Sequence, residues 1–313
     1  MAKEIVPEHL YKYRKLKNRD SFYKLDDKRG VICFDDHGLD ALSKGKIWFS
    51  HLDYLNDPYE NQGDYDASSY YHDLNVYLSS MPSSIPKHVD DFIKELKQNG
   101  CPDEEIINLI EMFQEKDARL NVEISHRLRE LNKEKMETGV LSLSELKDSL
   151  LMWAYYADDH YGYCLEFSSK ENHGFNKNRL ADNKEVGKVV YNSKYYTFAD
   201  IKPFYWFVSE KFSEEKLIEY KQRIFCHKSK EWEHEKEWRV FLDITEYKQN
   251  ENASGALLPF PGKLTTIYCG ARMSDVAIEA LKDAVRKGNY GYMPKFKKAK
   301  LKKGVFGLDF ETC

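Results

Sequence analysis

Apolar residues recur at helical spacing from Ile106 through Leu109, Ile110, Phe113, Leu120, Ile124 and Leu128 to Leu131. The chain on either side of that stretch instead shows short runs that alternate apolar and polar residues. A period near 3.6 and a period of 2 belong to different elements, so neither helices nor strands alone account for the chain. The expected class is α+β: a sheet-based core from residues 1–84 and 151–313, with a helical lobe, 85–150, inserted between them. Pro102, Asp103 and Glu104 suit a helix start. If unbroken to Met136, that helix would run about 50 Å at the standard rise.

Other elements follow from local pattern. LYKYR (Leu10–Arg14) reads as a strand with Tyr11 and Tyr13 on one face and Lys12 and Arg14 on the other. Leu39 and Leu42 mark a short helix that Gly45 ends, and Ile47–Ser50 is a strand. Leu150 to Asp159 reads as a helix, and Tyr161–Phe167 and Lys188–Asn192 as strands. Phe204–Phe225 is read as helix and Glu235–Ile244 as a strong strand. Tyr247–Leu257 is expected to be a polar loop. Leu264–Gly270 is a strand, Ser274 caps a helix to about Lys287, and Pro294–Leu301 and Val305–Phe310 are closing strands.

Composition narrows the functional classes. Aromatic residues make up 14% of the chain and the net charge is −4, so the chain can bury a core and carries no general attraction for nucleic acid or acidic lipid. No apolar run approaches the ~20 residues needed to span a bilayer, and the first residues lack an apolar signal-type stretch. These features place the protein in the cytoplasm, with no membrane partner. The six cysteines are scattered without a CxxC pair, as reduced, mostly buried thiols would be. The absence of GxSxG, P-loop and GxGxxG motifs disfavours serine hydrolase, P-loop and Rossmann chemistry.

Four polar clusters stand out. In LYKYR, Arg14 beside Tyr13 and Tyr11 suits a phosphate and a planar base; the alternative is an edge strand with solvated charges. In WFSHLDYLNDPYE, Trp48 and Ser50 share a face, and Asn56, Asp57 and Glu60 follow on a turn. That turn either caps the next element or orients a ribose. In MWAYYADDHYGYCLEF, Trp153, Tyr156, Asp158 and His160 crowd a helix end, where the helix dipole accounts for His160 more simply than a metal does. Glu166, in the following strand, would need a partner if buried.

HKSKEWEHEKEWRVFLDI says most about chemistry. In an extended chain Glu235, Glu237 and Arg239 line one face, and Lys236, Trp238 and Val240 the other. Three ionisable side chains on one strand face are costly unless they point into a wet cleft. A carboxylate beside an arginine stays ionised at neutral pH and can stabilise a developing cation or accept a proton. A cross-strand salt-bridge ladder is the alternative.

Together these four segments resemble the bacterial domain-of-unknown-function family twenty-nine seventy-one, in the right order and across most of the chain outside the lobe. A second resemblance is to ADP-ribosyltransferases. It implies a split, mostly antiparallel sheet and a site for NAD as substrate. Arg14 or Tyr13 would stand at the first station, Trp48 and Ser50 at the second, and Glu237, with Glu235 in reserve, at the catalytic position. On that reading Arg239 holds Glu237 ionised, no metal is needed, and the protein is a toxin-type effector of antiviral defence with a protein or nucleic-acid acceptor.

Two other functions fit the same residues. A metal-dependent nuclease would use Asp57, Glu60, Glu235 and Glu237 with Lys228 or Lys236, and a basic tail from Arg286 to Lys303 with Tyr290, Tyr292 and Phe296 as stacking groups. A non-catalytic sensor would bind a small nucleotide and use the lobe for a partner or for self-association.

Overall fold

The computed structural model describes residues 5–16, 23–26, 31–34, 36–57, 94, 96–98, 100, 102–107, 137–170, 180, 186–193, 225–247 and 254–313. The chain divides into two compact units, one comprising 1–62, 137–194 and 214–313 and the other 63–136 and 195–213. Of the second unit, residues 103–107 are helical, Ile106 is buried, and the amides of Glu105 and Ile106 bond the Pro102 carbonyl. This is the helix start expected from Pro102. The remainder of that helix, the expected helix from Phe204, and Glu60 lie outside the described residues.

The first unit is organised by a mostly antiparallel sheet. Its strands are β1 (His9–Arg14), β4 (Lys46–His51), β5 (Thr138–Ser144), β6 (Tyr163–Ser168), β7 (Val186–Lys188), β10 (Glu237–Asp243), β11 (Gly255–Pro259), β12 (Lys263–Cys269), β13 (Lys295–Leu301) and β14 (Leu308–Thr312). The order is β11-β4-β5-β1-β6-β12-β13-β14, with β10 on the other edge of β5 and β7 beyond it. Among the described residues, only β12 and β13 pair in parallel within this sheet. Two small ribbons stand apart: β2 (Tyr23–Asp26) with β3 (Val31–Phe34), and β8 (Val190–Asn192) with β9 (His227–Ser229).

Three sequence expectations need correction. Residues 138–144, assigned to the helical lobe, are the sheet's central strand β5. Leu141 and Leu143 do alternate with Ser142 and Ser144, but the run is short and directly follows the helically spaced stretch, which hides the change of period. Residues 255–257, assigned to a polar loop, begin β11, which pairs with β4 from Ser50 to Lys46. The stretch read as one strand at 188–192 is two, with Val189 between β7 and β8.

The two faces differ in lining. On one, Leu10, Leu141, Leu143, Leu165, Phe167, Trp238 and Val240 form the main core with helices α1 (His37–Ser43) and α3 (Asp275–Gly288). Helix α3 is capped by Ser274 and buries Ala277, Ile278, Leu281, Ala284 and Val285, the stripe its sequence spacing implies. On the opposite face, Tyr11, Tyr13, Cys164 and Tyr268 pack with Met152 and Trp153 of α2 (Leu150–Tyr156). This second face carries the polar residues.

Strand β5 forks the sheet. The Glu145 amide bonds the Lys236 carbonyl and the Glu137 carbonyl accepts from Ile244, so the odd-numbered backbone groups of this segment point to β10. Alternation sends those of Val140, Ser142 and Ser144 to the opposite edge. There β4 pairs at Val140 through Ser50, and β1 pairs at Ser144 through Tyr11. Ser142 lies between the diverging strands. The sheet is therefore split at this point.

The end of α2 is locked to the sheet by close backbone approach. Asp158, Asp159 and His160 all take positive φ, a conformation costing roughly 1 kcal/mol or more per residue. The His160 carbonyl accepts from Arg272, and the Gly162 carbonyl from Gly270. A Cβ on Gly162 would collide with the Arg14 carbonyl, and one on Gly270 with the His160 carbonyl. Gly162→Ala is thus expected to destabilise the protein by about 3 kcal/mol or more through forced backbone shifts. Urea unfolding of the variant against the parent protein measures this.

Candidate functional site

The fork opens into a cleft of about 780 Å³, counted out to its open mouth. Its floor is β5, through Val140, Ser142, Leu143 and Ser144, and β1 contributes Tyr11, Lys12 and Tyr13. Ser50 and the Tyr54–Asn56 turn form one wall, and Met152 and Tyr156 of α2 another. Lys228, Glu235 and Glu237 complete the lining.

These acids and bases form one connected group. Glu237 opens β10, and Arg239 follows two residues on, on the same face, with its side chain 0% exposed. The guanidinium donates from Nε to Glu237 Oε1 at 2.9 Å and from Nη2 to Glu237 Oε2 at 3.2 Å. Its Nη1 is fixed on the Phe225 carbonyl at 2.5 Å. Lys228, from β9, bridges the two carboxylates: Nζ lies 2.6 Å from Glu235 Oε2 and 3.3 Å from Glu237 Oε2. Tyr156 Oη donates to the other Glu235 oxygen, Oε1, and also hydrogen-bonds Asn56. Lys228 sits 4.9 Å from the Trp232 ring centre, a cation–π contact on its outer side.

Electrostatics follow from this wiring. Burial pushes the Glu237 carboxyl upward. Arg239 and Lys228, helped by hydrogen bonds from Arg239 and Ser142, outweigh burial and hold it below the usual carboxylate range. Burial and the hydrogen bond to Glu235 both raise the Tyr156 phenol, so it stays protonated and donates.

Glu235 reaches this group by a route that its sequence pattern hides. It is not in β10. It closes a 3-10 turn, Lys230–Glu235, and Lys236 then takes a left-handed conformation. The kink turns Lys236 outward to Glu233 at 3.2 Å, and Glu235 remains beside Glu237. The expected face of Glu235, Glu237 and Arg239 is thus assembled by a turn and a strand together.

The other sequence-selected residues divide between cleft and support. Tyr11, Tyr13, Ser50, Asn56 and Tyr156 line the cleft with Glu235 and Glu237. Arg14 does not: it pairs across β1 and β6 with Tyr163 and hydrogen-bonds it on the main-core face, opposite the cleft. Strand alternation forbids Arg14 and Tyr13 from meeting one ligand on one face. Trp48 lies over Gly255 on the neighbouring strand, and Asp57 is buried rather than lining. Trp153 is fully buried, edge-on to Tyr13, with its indole N–H on the Lys147 carbonyl at 2.8 Å. His160 stacks on Trp153 and lines no part of the cleft; burial, then Arg272, lowers its pKa.

Glu166 does find partners. It accepts from Thr265 Oγ1 at 2.6 Å, Thr266 Oγ1 at 2.8 Å and Tyr268 Oη at 2.8 Å, and it hydrogen-bonds Tyr11. This ring of hydroxyls fixes the back of Tyr11. In the basic tail, Lys298 pairs with Asp275, Lys300 with Glu311 and Lys302 with Asp309. Phe296 is buried and Tyr290 packs on the main core, so neither offers an open face for stacking. Among the described residues no three His, Cys, Asp or Glu side chains converge as a metal site, and Lys228 Nζ occupies the space between the two carboxylates.

Sequence reasoning missed Lys12, Ser142, Ser144 and Tyr54, and gave Lys228 only an assisting role in the nuclease reading. Lys12 carried a signal: it alternates with Leu10 on a strand face whose neighbours are core residues.

Two outcomes test this wiring. Arg239→Met, which leaves Glu237 buried without its main partner, is expected to cost about 3–5 kcal/mol in denaturant unfolding. Glu237 titrates lower in the folded chain than in the unfolded one, where it sits near 4.5. Its stabilising contribution is therefore complete above that value and is lost as pH falls through the lowered folded pKa. Glu237→Gln is expected to flatten this acid limb when unfolding midpoints are measured across a pH series.

Among the described residues no helix is long and apolar enough to cross a membrane. No curated protein and no solved structure matches the chain. The LYKYR and WFSHLDYLNDPYE segments lie outside the family match that exists, whereas Tyr156, Lys228, Glu235, Glu237 and Arg239 lie within it. That match, over residues 152–240, is to the family described as protein of unknown function (DUF2971), which this part of the chain resembles.

Proposed function

We propose that the cleft binds NAD and cleaves its nicotinamide–ribose bond, as an ADP-ribosyltransferase or NAD glycohydrolase. The observation that carries this reading is a pair of carboxylates, Glu235 and Glu237, on the wall of a cleft at a split in the sheet, held by Lys228 and Arg239. Breaking a glycosidic bond to a cationic leaving group develops positive charge on the ribose. Preorganised negative charge in a partly dry site stabilises that charge without metal assistance.

The roles divide by what each side chain is already doing. Both oxygens of Glu237 are occupied by Arg239, so Glu237 serves as the fixed charge that positions Lys228. Glu235 has one oxygen on Lys228 and the other on Tyr156, which lines the cleft. A ribose hydroxyl can share or replace the Tyr156 bond. Glu235 is therefore the carboxylate assigned to the ribose, with Tyr156 and Asn56 orienting it. Tyr54, which is exposed, supplies aromatic surface for a planar ring, and the buried Tyr11 and Tyr13 line the cleft beside it. Consumption of NAD would make the protein a toxin-type effector of bacterial defence.

Nicotinamide release from NAD by the purified full chain tests the reading. Glu235→Gln is expected to lower the rate about 10²–10³-fold, the usual scale for losing one preorganised charge-stabilising group. Tyr156→Phe should lower it less. Release that is equally slow from the parent protein and Glu235→Gln rejects the chemistry. Tight NAD binding without release would leave a nucleotide-binding module in its place.

A further inference from the structure

The charges around the cleft do not cancel. Glu235 and Glu237 face Lys228 and Arg239, two against two. Lys12 is left over. It stands at the fork, one residue past the Tyr11–Ser144 pairing, and its Nζ donates to the Ser142 carbonyl at 2.9 Å. That partner is neutral, and no carboxylate among the described residues forms an ion pair with Lys12. Its side chain leaves the core face of β1 and reaches the gap between β1 and β4, where it lines the cleft.

We propose that this fork is an anion subsite, with Lys12 as its anchoring cation and a phosphate-bearing ligand as its occupant. An ammonium withdrawn from water without an anionic partner is costly. It has two further N–H donors beyond the one on Ser142. A phosphate oxygen in the gap between β1 and β4 supplies the missing countercharge and accepts those donors. The hydroxyls of Ser50 and Ser144 line the same cleft. Burial, then Arg14 and Lys228, lowers the Lys12 pKa to about 8, against the pull of Glu237 and Glu235. The group therefore still carries its charge at neutral pH. Lys12 takes the place that the sequence offered to Arg14, which faces the other way.

This inference deepens the NAD reading, from which it takes the location of the ligand, and it is tested without turnover. The probe is inorganic pyrophosphate, titrated into the full chain by calorimetry. Lys12→Met is expected to weaken binding about 10–100-fold, the loss of one charge-assisted contact. Lys12→Gln, which keeps a donor but no charge, should weaken it similarly. Neither variant should lower the melting temperature, because each removes a partly buried charge that has no ion-pair partner among the described residues. Competition by ADP would place a nucleotide's diphosphate in the subsite; its absence, with pyrophosphate still bound through Lys12, would assign the subsite to free phosphate. Binding unchanged in both variants overturns the proposal, as does an absence of pyrophosphate binding to the parent protein at millimolar concentration. Lys12-dependent pyrophosphate binding with no nicotinamide release rejects the NAD chemistry alone. Nicotinamide release that is unaffected by Lys12→Met, with no pyrophosphate site, rejects the subsite alone.

Discussion

The Arg239–Glu237 pair is the interaction on which the site depends. Both side chains are buried, and both sit on the strand that borders β5 along its whole length. A lone carboxylate at that depth would take up a proton, and a lone guanidinium would be strongly destabilising. As a bidentate pair they remain charged, and the Phe225 carbonyl fixes the end of the guanidinium that Glu237 does not. Lys228 and Glu235 are then arranged around a charge that cannot move. Hydrophobic side chains of similar volume would serve stability as well. The strength of the fold alone does not explain why ions are retained here.

The fork in the sheet does the complementary work. A continuous sheet would cover both edges of β5 with backbone partners. Because β4 takes Val140 and β1 takes Ser144, the stretch between them is left to side chains. Polar groups from β1, β5, β9, β10, α2 and the turn after β4 reach one hollow for that reason. The main core and the two helices on the opposite face supply the burial that holds the split sheet together.

Much of the fold was legible in sequence where one periodicity dominated. Leu39 and Leu42 with Gly45, the Ser274-capped amphipathic helix, and the alternation in LYKYR each carried one clear local signal. Strand β5 was passed over although Leu141 and Leu143 alternate with Ser142 and Ser144, because the run is short and its neighbours are brought in from distant parts of the chain. The acid cluster was half legible. Glu237 and Arg239 follow from strand alternation, but Glu235 depends on a left-handed Lys236 that no spacing announces. Arg14 was chosen for its chemistry against the evidence of its strand face. Lys12 was passed over although it stood one residue past a tyrosine that does reach the cleft. Alternation said which face each residue starts from, but only the fork showed that a long side chain could cross between strands.

Lys228 is mounted on different support from the acids it serves. It belongs to the small β8–β9 ribbon, whereas Glu237 belongs to the main sheet. The ribbon is tied to that sheet partly by Tyr191 Oη, which accepts the Glu237 amide at 2.7 Å. A shift of the ribbon by a few ångströms would withdraw a full positive charge from two carboxylates at once while leaving the sheet's own ladder intact. The electrostatic tuning of the hollow is thereby made separable from the integrity of its frame, and substitutions in the ribbon can change the hollow's charge balance without breaking the main sheet's ladder.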